Sequence, residues 1–253
     1  KTVLVTGGAG FIGSCYVLSR RTAGERVVNL DKLTYSGNIG NLASLDGDAE
    51  HIFVRGDIGD ALLVRQLLHH YQPDAVINFA AESHVDRSIH DPDAFVRTNV
   101  LGTCTLLRGV LDGGKSCPKK GGTLSVSCTF PRMRYTERSA PAARLHGDDP
   151  VCAEQPYSAS KASSDHFVRA YHETYGLPTL ITNCSNNYGP RQFPEKLIPL
   201  VILNALSGKP LPFTAPENIR DWLHVEDHCE AIVAVLEKGA PGECYNIGGH
   251  SER

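Results

Sequence analysis

Thr6-Gly7-Gly8-Ala9-Gly10-Phe11-Ile12-Gly13 is the stretch that decides the fold. It follows the apolar run Lys1–Thr6 and opens a helical pattern near Ile12–Ala23, so glycines stand where a strand turns into a helix. Such a turn needs backbone without Cβ, because a pyrophosphate must approach the helix N-terminus, where free N–H groups and the helix dipole favour anions. Tight turns also use glycine for structural reasons alone, so context has to decide. Here Asp31 ends the next strand, Arg26–Asp31, where a carboxylate can accept hydrogen bonds from adenosine ribose hydroxyls. A carboxylate there repels a 2′-phosphate and favours NAD over NADP, while the neighbouring Lys32 tempers that preference.

The rest of the chain repeats the strand–helix rhythm. His51–Gly56 and Asp74–Ala80 read as further strands, and Ala61–Tyr71 and Ala94–Leu111 as helices. Tyr157–Tyr175, Phe193–Ser207 and Glu226–Glu237 read as helices, and Thr179–Asn183 and Glu243–Ile247 as strands. The expected fold is α/β, a Rossmann-like doubly wound parallel sheet with a smaller, incomplete substrate lobe. An NAD-binding domain is expected over 1–184, part of a substrate-binding lobe over 185–220, and a return to the first domain over 221–253. The lobe is marked by the proline-containing stretch Gly189–Pro216, which breaks the rhythm. The chain stops at Arg253 just after a strand and a Gly248-Gly249 turn, which reads as a truncation.

Composition narrows the function classes. At 253 residues, 41% hydrophobic and 21% charged, the chain matches an ordinary globular protein with one substantial core. Its net charge of −3 gives no basic footprint for nucleic acid or an anionic membrane. No apolar run approaches the ~18 residues that span a bilayer. The eight cysteines are scattered with no C-x-x-C pair and read as reduced thiols of a cytoplasmic protein. His224 and His228, four apart on one helix, mimic metal-ligand spacing without a third ligand, so no metal is expected and both read as surface or packing residues.

A second motif supplies the chemistry. Tyr157 and Lys161 stand i and i+4 and share one helix face. A tyrosine titrates near ~10 when unperturbed, so it is a poor base at neutral pH unless a cation stabilises its phenolate. Lys161 is that cation and can also reach the nicotinamide ribose. Alone, such a pair reads as an exposed tyrosine and a solvated lysine; with the glycine turn it reads as the catalytic base of a nicotinamide-dependent enzyme. Asp57-Ile58 after the third strand is either an adenine contact or a turn former.

Longer motifs carry a resemblance: TGGAGFIGS, LDKLTYSGN, NFAAESHVDRSI, TNVLGT, PYSASKASSDH, TNCSNNYGP, FPEKLIPL, IRDWLHVEDH and YNIGG. Over residues 1–112 and 156–253 the chain resembles the extended short-chain dehydrogenase/reductase superfamily, and within it the nucleotide-sugar 4,6-dehydratases of the dTDP-glucose type. The resemblance implies an NAD site lined by Gly7, Gly10, Phe11, Ile12, Gly13, Asp31, Lys32, Asp57, Ile58, Ala80, Ala81, Asn99, Tyr157, Lys161 and Asn186. It places Glu82, Ser83 and His84 near the hexose, and Asn187, Lys196 and Arg220 on the nucleotide diphosphate, where arginine gives bidentate and lysine point contacts. Taken alone, Arg220-Asp221 reads as a local ion pair and Glu195-Lys196 as a solvated helix end. The implied partner is a nucleotide-diphosphate hexose, and the implied assembly a homodimer built through paired helices. The implied reaction is an internal redox cycle: hydride leaves C4 for NAD, a Glu base and an Asp acid eliminate water across C5 and C6, and hydride returns to C6. A nucleotide-sugar 4-epimerase is the close rival, and a non-catalytic NAD-binding protein the distant one.

The resemblance implies a Ser-Thr-Asp-Glu-Val-Tyr-Gly motif before Tyr157, and the chain lacks it. In its place stands Val126-Ser-Cys-Thr-Phe-Pro-Arg-Met-Arg-Tyr-Thr-Glu137. Reading the third base of each codon with the first two of the next allows these residues to spell His-Val-Ser-Thr-Asp-Glu-Val-Tyr-Gly. The opposite shift lets Leu145–Gln155 spell Phe-Thr-Glu-Thr-Thr-Pro-Tyr-Ala-Pro-Ser-Ser, the family's approach to Pro-Tyr-Ser-Ala-Ser-Lys. Frame shifts over roughly 125–155 are therefore expected, and a natural insertion loop is the alternative. In that loop Ser127 or Thr129 would take the hydroxyl position, but no Asp-Glu pair follows. As written, the chain is expected to bind NAD and sugar nucleotide, at most to oxidise C4, and not to dehydrate.

Overall fold

The structure, a computed structural model, describes residues 1–116, 153, 155–211 and 220–250. The expected frame-shifted stretch, with Ser127, Thr129, Asp148, Asp149 and Glu154, lies outside the described residues except at Ala153 and Gln155.

Strands β1 (Thr2–Thr6), β2 (Arg26–Asp31), β3 (His51–Arg55) and β4 (Ala75–Asn78) form one parallel sheet in the order β3-β2-β1-β4. The β1 sequence is a continuous apolar run because both of its faces are covered. Alternation along the strands sends Leu4, Val28, Leu30 and Val76 into one core and Val3, Val5, Val27, Ala75 and Ile77 into the other. The first core is closed by helices α2 (Ala61–Tyr71), α5 (Thr103–Ser116) and α6 (Pro156–Tyr175). The second is closed by α1 (Phe11–Thr22) and α8 (Val225–Lys238). Among the described residues β5 (Ile181–Cys184) pairs with β8 (Cys244–Ile247), and β6 (Asn186–Tyr188) with β7 (Trp222–His224), each as a separate parallel pair. Strand order reverses direction at β1, with β2 and β4 on its two sides. In open α/β sheets the ligand crevice lies at such a switch point, outside the carboxyl ends of the strands.

Several elements depart from the sequence expectation for local reasons. The single helix expected over Ala94–Leu111 is instead α4 (Pro92–Phe95), a π-helical stretch Val96–Gly102, and then α5. Asp91 starts it early by accepting from the Ala94 N–H, with Pro92 at the first position. The π stretch contains Asn99, whose carbonyl accepts from the Ser164 hydroxyl at 2.5 Å, a bond outside the helix ladder. The helix expected over Phe193–Ser207 begins only at Leu197 as α7 (Leu197–Leu206), since the proline at 194 disfavours helical backbone at Phe193. The short α3 (Val85–His90) carries no strong periodicity and escapes the pattern; it is capped by the His84 ring, which accepts from the Arg87 N–H.

His224 and His228 do not share a helix. His224 ends β7 and stands just before α8 with no side-chain bond to it, whereas His228 lies in the first turn of α8, fully buried. The His228 Nδ1 faces the Asn187 side-chain oxygen at 2.9 Å, and burial pulls its pKa down to about 4. Below the ordinary value of 6.5 the unfolded chain takes up a proton that the folded chain refuses. The stability contributed by the neutral ring is thus complete above that value and is lost as pH falls towards 4, by up to ~3 kcal/mol. Urea midpoints measured between pH 7.5 and 4.5 should show this slope, and a His228→Gln variant should lack that share of it. An equal slope in both proteins would rule the histidine out as its source.

Candidate active site

The cleft lies at the carboxyl ends of β1, β2 and β4, is open to solvent, and holds a cavity of about 80 Å³. It is lined by Gly7 and Gly10 of the glycine turn, Asp31 at the end of β2 and Lys32 after it, Asp57 and Ile58 after β3, and Ala80, Ala81 and Glu82 after β4. Each of these is a residue the sequence motifs single out. The loop residues Thr34, Ser36 and Gly37, with Leu30, Gly56, Phe79 and Thr98, also line it and are not. LDKLTYSGN is the available signal for the loop, since it runs directly on from Asp31.

The glycine turn fits a dinucleotide. Gly7 has φ +69°, and a Cβ there would sit 2.6 Å from the Ala80 nitrogen, so only glycine lets the turn lie against the end of β4. A Cβ at Gly13 would collide with the Gly7 carbonyl oxygen. The N-terminus of α1 has no side-chain cap and no acidic residue in its first turn. The amides of Phe11, Ile12 and Gly13 therefore meet no built-in anion at the positive end of the helix dipole. The Asp31 carboxylate is buried and braces this turn: Oδ2 accepts from the Ala9 N–H at 2.8 Å and Oδ1 from the Leu33 N–H at 2.7 Å. Each oxygen keeps a further lone pair for a ribose hydroxyl.

Lys32 and Asp57 face one another across the mouth of the cleft at 2.6 Å. Partial burial pushes the Asp57 carboxyl up, but the Lys32 ammonium and the Gly59 N–H outweigh it and leave its pKa below the usual value. Glu82, half-buried deeper in the cleft, is shifted upward by desolvation against the opposing pull of Arg87 and Lys32.

Asn99 does not open onto the cleft. It is buried, with its side-chain oxygen accepting from the Glu82 N–H (2.9 Å) and its nitrogen donating to the Glu82 carbonyl (3.1 Å) and the Ser160 hydroxyl (2.9 Å). One side chain thus fixes the cleft wall at Glu82 to the α6 turn that carries Tyr157 and Lys161. Both of those residues are 4% exposed, and the Phe95 ring stands edge-on to Tyr157 at 6.0 Å. Depth of burial bears on the phenol that the sequence pairs with Lys161. Burial pushes the Tyr157 pKa well above the ordinary tyrosine value, with Cys184 and Tyr35 adding to the effect. A phenolate in this pocket loses its water.

Three of the other expected substrate residues, Ser83, His84 and Lys196, lie at a second cluster. His84 Nε2 lies 3.5 Å from Glu195, which also meets Lys196 at 3.4 Å, so the loop before α3 touches the loop before α7. Between them Tyr35 stacks under the Arg87 guanidinium at 3.6 Å and meets Phe193 edge-on, with Ser83 beside its hydroxyl. Sequence reasoning misses Tyr35, Arg87, Phe193 and Glu195 as a group, because nothing in their spacing places them together. Asn187 is turned to internal bonds: its oxygen meets His228 and its nitrogen donates to the Ser185 carbonyl. Asn186 lies beside it in β6, its N–H bonded to the Asp221 carbonyl. Arg220 is half-buried just before β7, and the adjacent Asp221 carboxylate accepts from the Gly249 N–H at 2.9 Å. Among the described residues no group of three His, Cys, Asp or Glu could hold a metal ion.

A glycine turn against β4, an anchored carboxylate at the end of β2 and a Tyr–Lys pair on the helix behind them define a dinucleotide-binding fold of the short-chain dehydrogenase type. Residues 4–253 match the family model described as GDP-mannose 4,6 dehydratase. A dTDP-glucose 4,6-dehydratase of Xanthomonas campestris pv. campestris (strain B100) is 58% identical, covering 100% of this chain and 72% of that protein. The solved structure of DesIV, a dTDP-glucose 4,6-dehydratase from Streptomyces venezuelae with NAD bound, is similar with TM-score 0.91 at 45% identity, covering 100% of this chain and 77% of that one. A Thermus thermophilus UDP-glucose 4-epimerase complexed with NAD is more distant, with TM-score 0.85 at 28% identity over 100% of this chain and 79% of that one. The chain belongs to the nucleotide-sugar 4,6-dehydratase family, among the dTDP-glucose 4,6-dehydratases.

Proposed function

We propose that the protein is an NAD-dependent lyase that converts dTDP-glucose to dTDP-4-keto-6-deoxyglucose, with the segment around 125–155 deciding whether the dehydration step can run. The observation that carries this reading is the Asn99 clamp, which sets the Tyr157–Lys161 helix against the wall of a cleft built for a dinucleotide. NAD, when bound, supplies the two-electron acceptor and donor for the sugar. Gly7, Gly10 and the first amides of α1 would hold its pyrophosphate, and Asp31 its adenosine ribose. Tyr157 holds its proton in the free protein and accepts the C4 hydroxyl proton only as a phenolate, and Lys161 is the cation one helical turn away that can stabilise it. Ser83 and His84 are read as residues near the hexose, and Lys196 and Arg220 as contacts to the diphosphate.

Residues 1–184 and 221–253 are read as the NAD-binding domain and 185–220 as part of the substrate lobe. No described helix is long and apolar enough to cross a membrane. The described cysteines Cys15, Cys104, Cys184, Cys229 and Cys244 are free thiols, which supports a cytoplasmic setting. The homodimer implied by the family resemblance is kept as part of this reading, and Val96, Leu101 and Phe167 are among the exposed apolar side chains it could cover.

The test compares this chain with a version carrying Ser-Thr-Asp-Glu-Val-Tyr-Gly in frame, both given dTDP-glucose, with products read by NMR. The restored chain is expected to yield the 4-keto-6-deoxy sugar and the chain as written none. A 4-epimer as product would make the protein an epimerase. NAD binding without turnover by the restored chain would make it a non-catalytic binding protein.

A further inference from the structure

We infer that Asp57 is a cofactor-selecting residue that acts through Lys32: by engaging the only cation among the described cleft-lining residues, it denies a landing point to a ribose 2′-phosphate and enforces NAD over NADP. The inference rests on the dinucleotide reading of the cleft. The lining contains three carboxylates, Asp31, Asp57 and Glu82, against the single ammonium of Lys32. Asp31 is committed to the glycine turn by its two backbone bonds. Lys32 directly follows it and, left to itself, would reach a phosphate on the same ribose. Instead its Nζ lies 2.6 Å from Asp57 Oδ2. Asp57 is itself held in place, since its Oδ1 accepts from the Gly59 N–H at 2.8 Å.

Both side chains are substantially exposed, at 59% for Lys32 and 41% for Asp57. Such a pair adds little to stability. Its consequence is where charge sits: a dianionic phosphate would have to displace a carboxylate from its lysine and then lie beside it. An adenine-contact role for Asp57, expected from the family, predicts something different, because losing it would weaken NAD and NADP alike.

The experiment measures dissociation constants of NAD and NADP by isothermal titration for the wild type, Asp57→Asn, Asp57→Ser and the double variant Asp57→Asn/Lys32→Ala. Asparagine and serine both keep an acceptor for the Gly59 N–H, so one serves if the other fails to fold. The ratio of NADP to NAD dissociation constants is expected to fall about tenfold or more in the single variants, the scale of one charge-assisted phosphate contact. It should return close to the wild-type ratio in the double variant. An unchanged ratio with both affinities weakened, or a gain that survives loss of Lys32, overturns the inference while leaving the cofactor reading intact. A wild type that binds neither dinucleotide overturns both.

Discussion

Replacing Tyr157 with phenylalanine is expected to lower turnover of the frame-restored chain by about 10²–10⁴-fold, the usual share of a positioned acid–base group. The substitution removes one oxygen from a side chain that is 4% exposed and edge-on to Phe95, so the ring contacts survive and packing should change little. NAD affinity should be nearly unaffected, since the glycine turn and Asp31 lie on other elements. The structure adds a pH signature. Burial holds the phenol well above its ordinary pKa, so turnover should rise with pH across the neutral range as more phenolate forms. Turnover in the phenylalanine variant that matched the unsubstituted protein would remove Tyr157 from the chemistry.

The second large effect is at Gly7. A Gly7→Ala variant must place a Cβ 2.6 Å from the Ala80 nitrogen and hold φ at +69°, and the obstacle is backbone that cannot step aside. Gly24 is an internal control, with φ +79° and open space within 4 Å of where a Cβ would stand. Gly24→Ala should cost about 1–2 kcal/mol, the strain of the left-handed conformation alone. Gly7→Ala should cost clearly more and abolish NAD binding, because the turn would have to lift off β4 and carry the α1 N-terminus with it. Thermal unfolding and NAD titration of both variants give the comparison. Equal destabilisation at the two glycines, with NAD binding retained, would mean that the close approach to β4 has no part in the site.

Much of this is legible in the sequence where the signal is local. The turn from β1 into α1, the carboxylate ending β2 and the i, i+4 spacing of Tyr157 and Lys161 are read from neighbours along the chain, and the structure places them as elements in those positions. What escapes depends on distant partners. The resemblance puts Asn99 in the NAD site, but only the arrival of Glu82 and Ser160 from other elements shows it as a clamp between cleft wall and helix. The three-residue strands β6 and β7 are too short to show a period of two. Helical spacing brings Lys161 to the side of Tyr157 but says nothing of how deeply the phenol is buried, and that depth sets the direction of its pKa. The Lys32–Asp57 pair is similar: adjacent strands β2 and β3 bring the two together across a gap no sequence spacing records.

The acid–base segment is the remaining decisive region, and under the proposed function its chemistry depends on the reading frame. The most direct test is to sequence the coding DNA from the codon for Gly113 to the codon for Pro156. The account predicts that one continuous frame returns Ser-Thr-Asp-Glu-Val-Tyr-Gly ahead of Pro-Tyr-Ser-Ala-Ser-Lys, giving the dehydratase its Asp acid and Glu base. DNA that encodes Val126–Glu137 as written, with neither alternative frame spelling those motifs, would contradict it and leave a chain that binds cofactor but does not dehydrate.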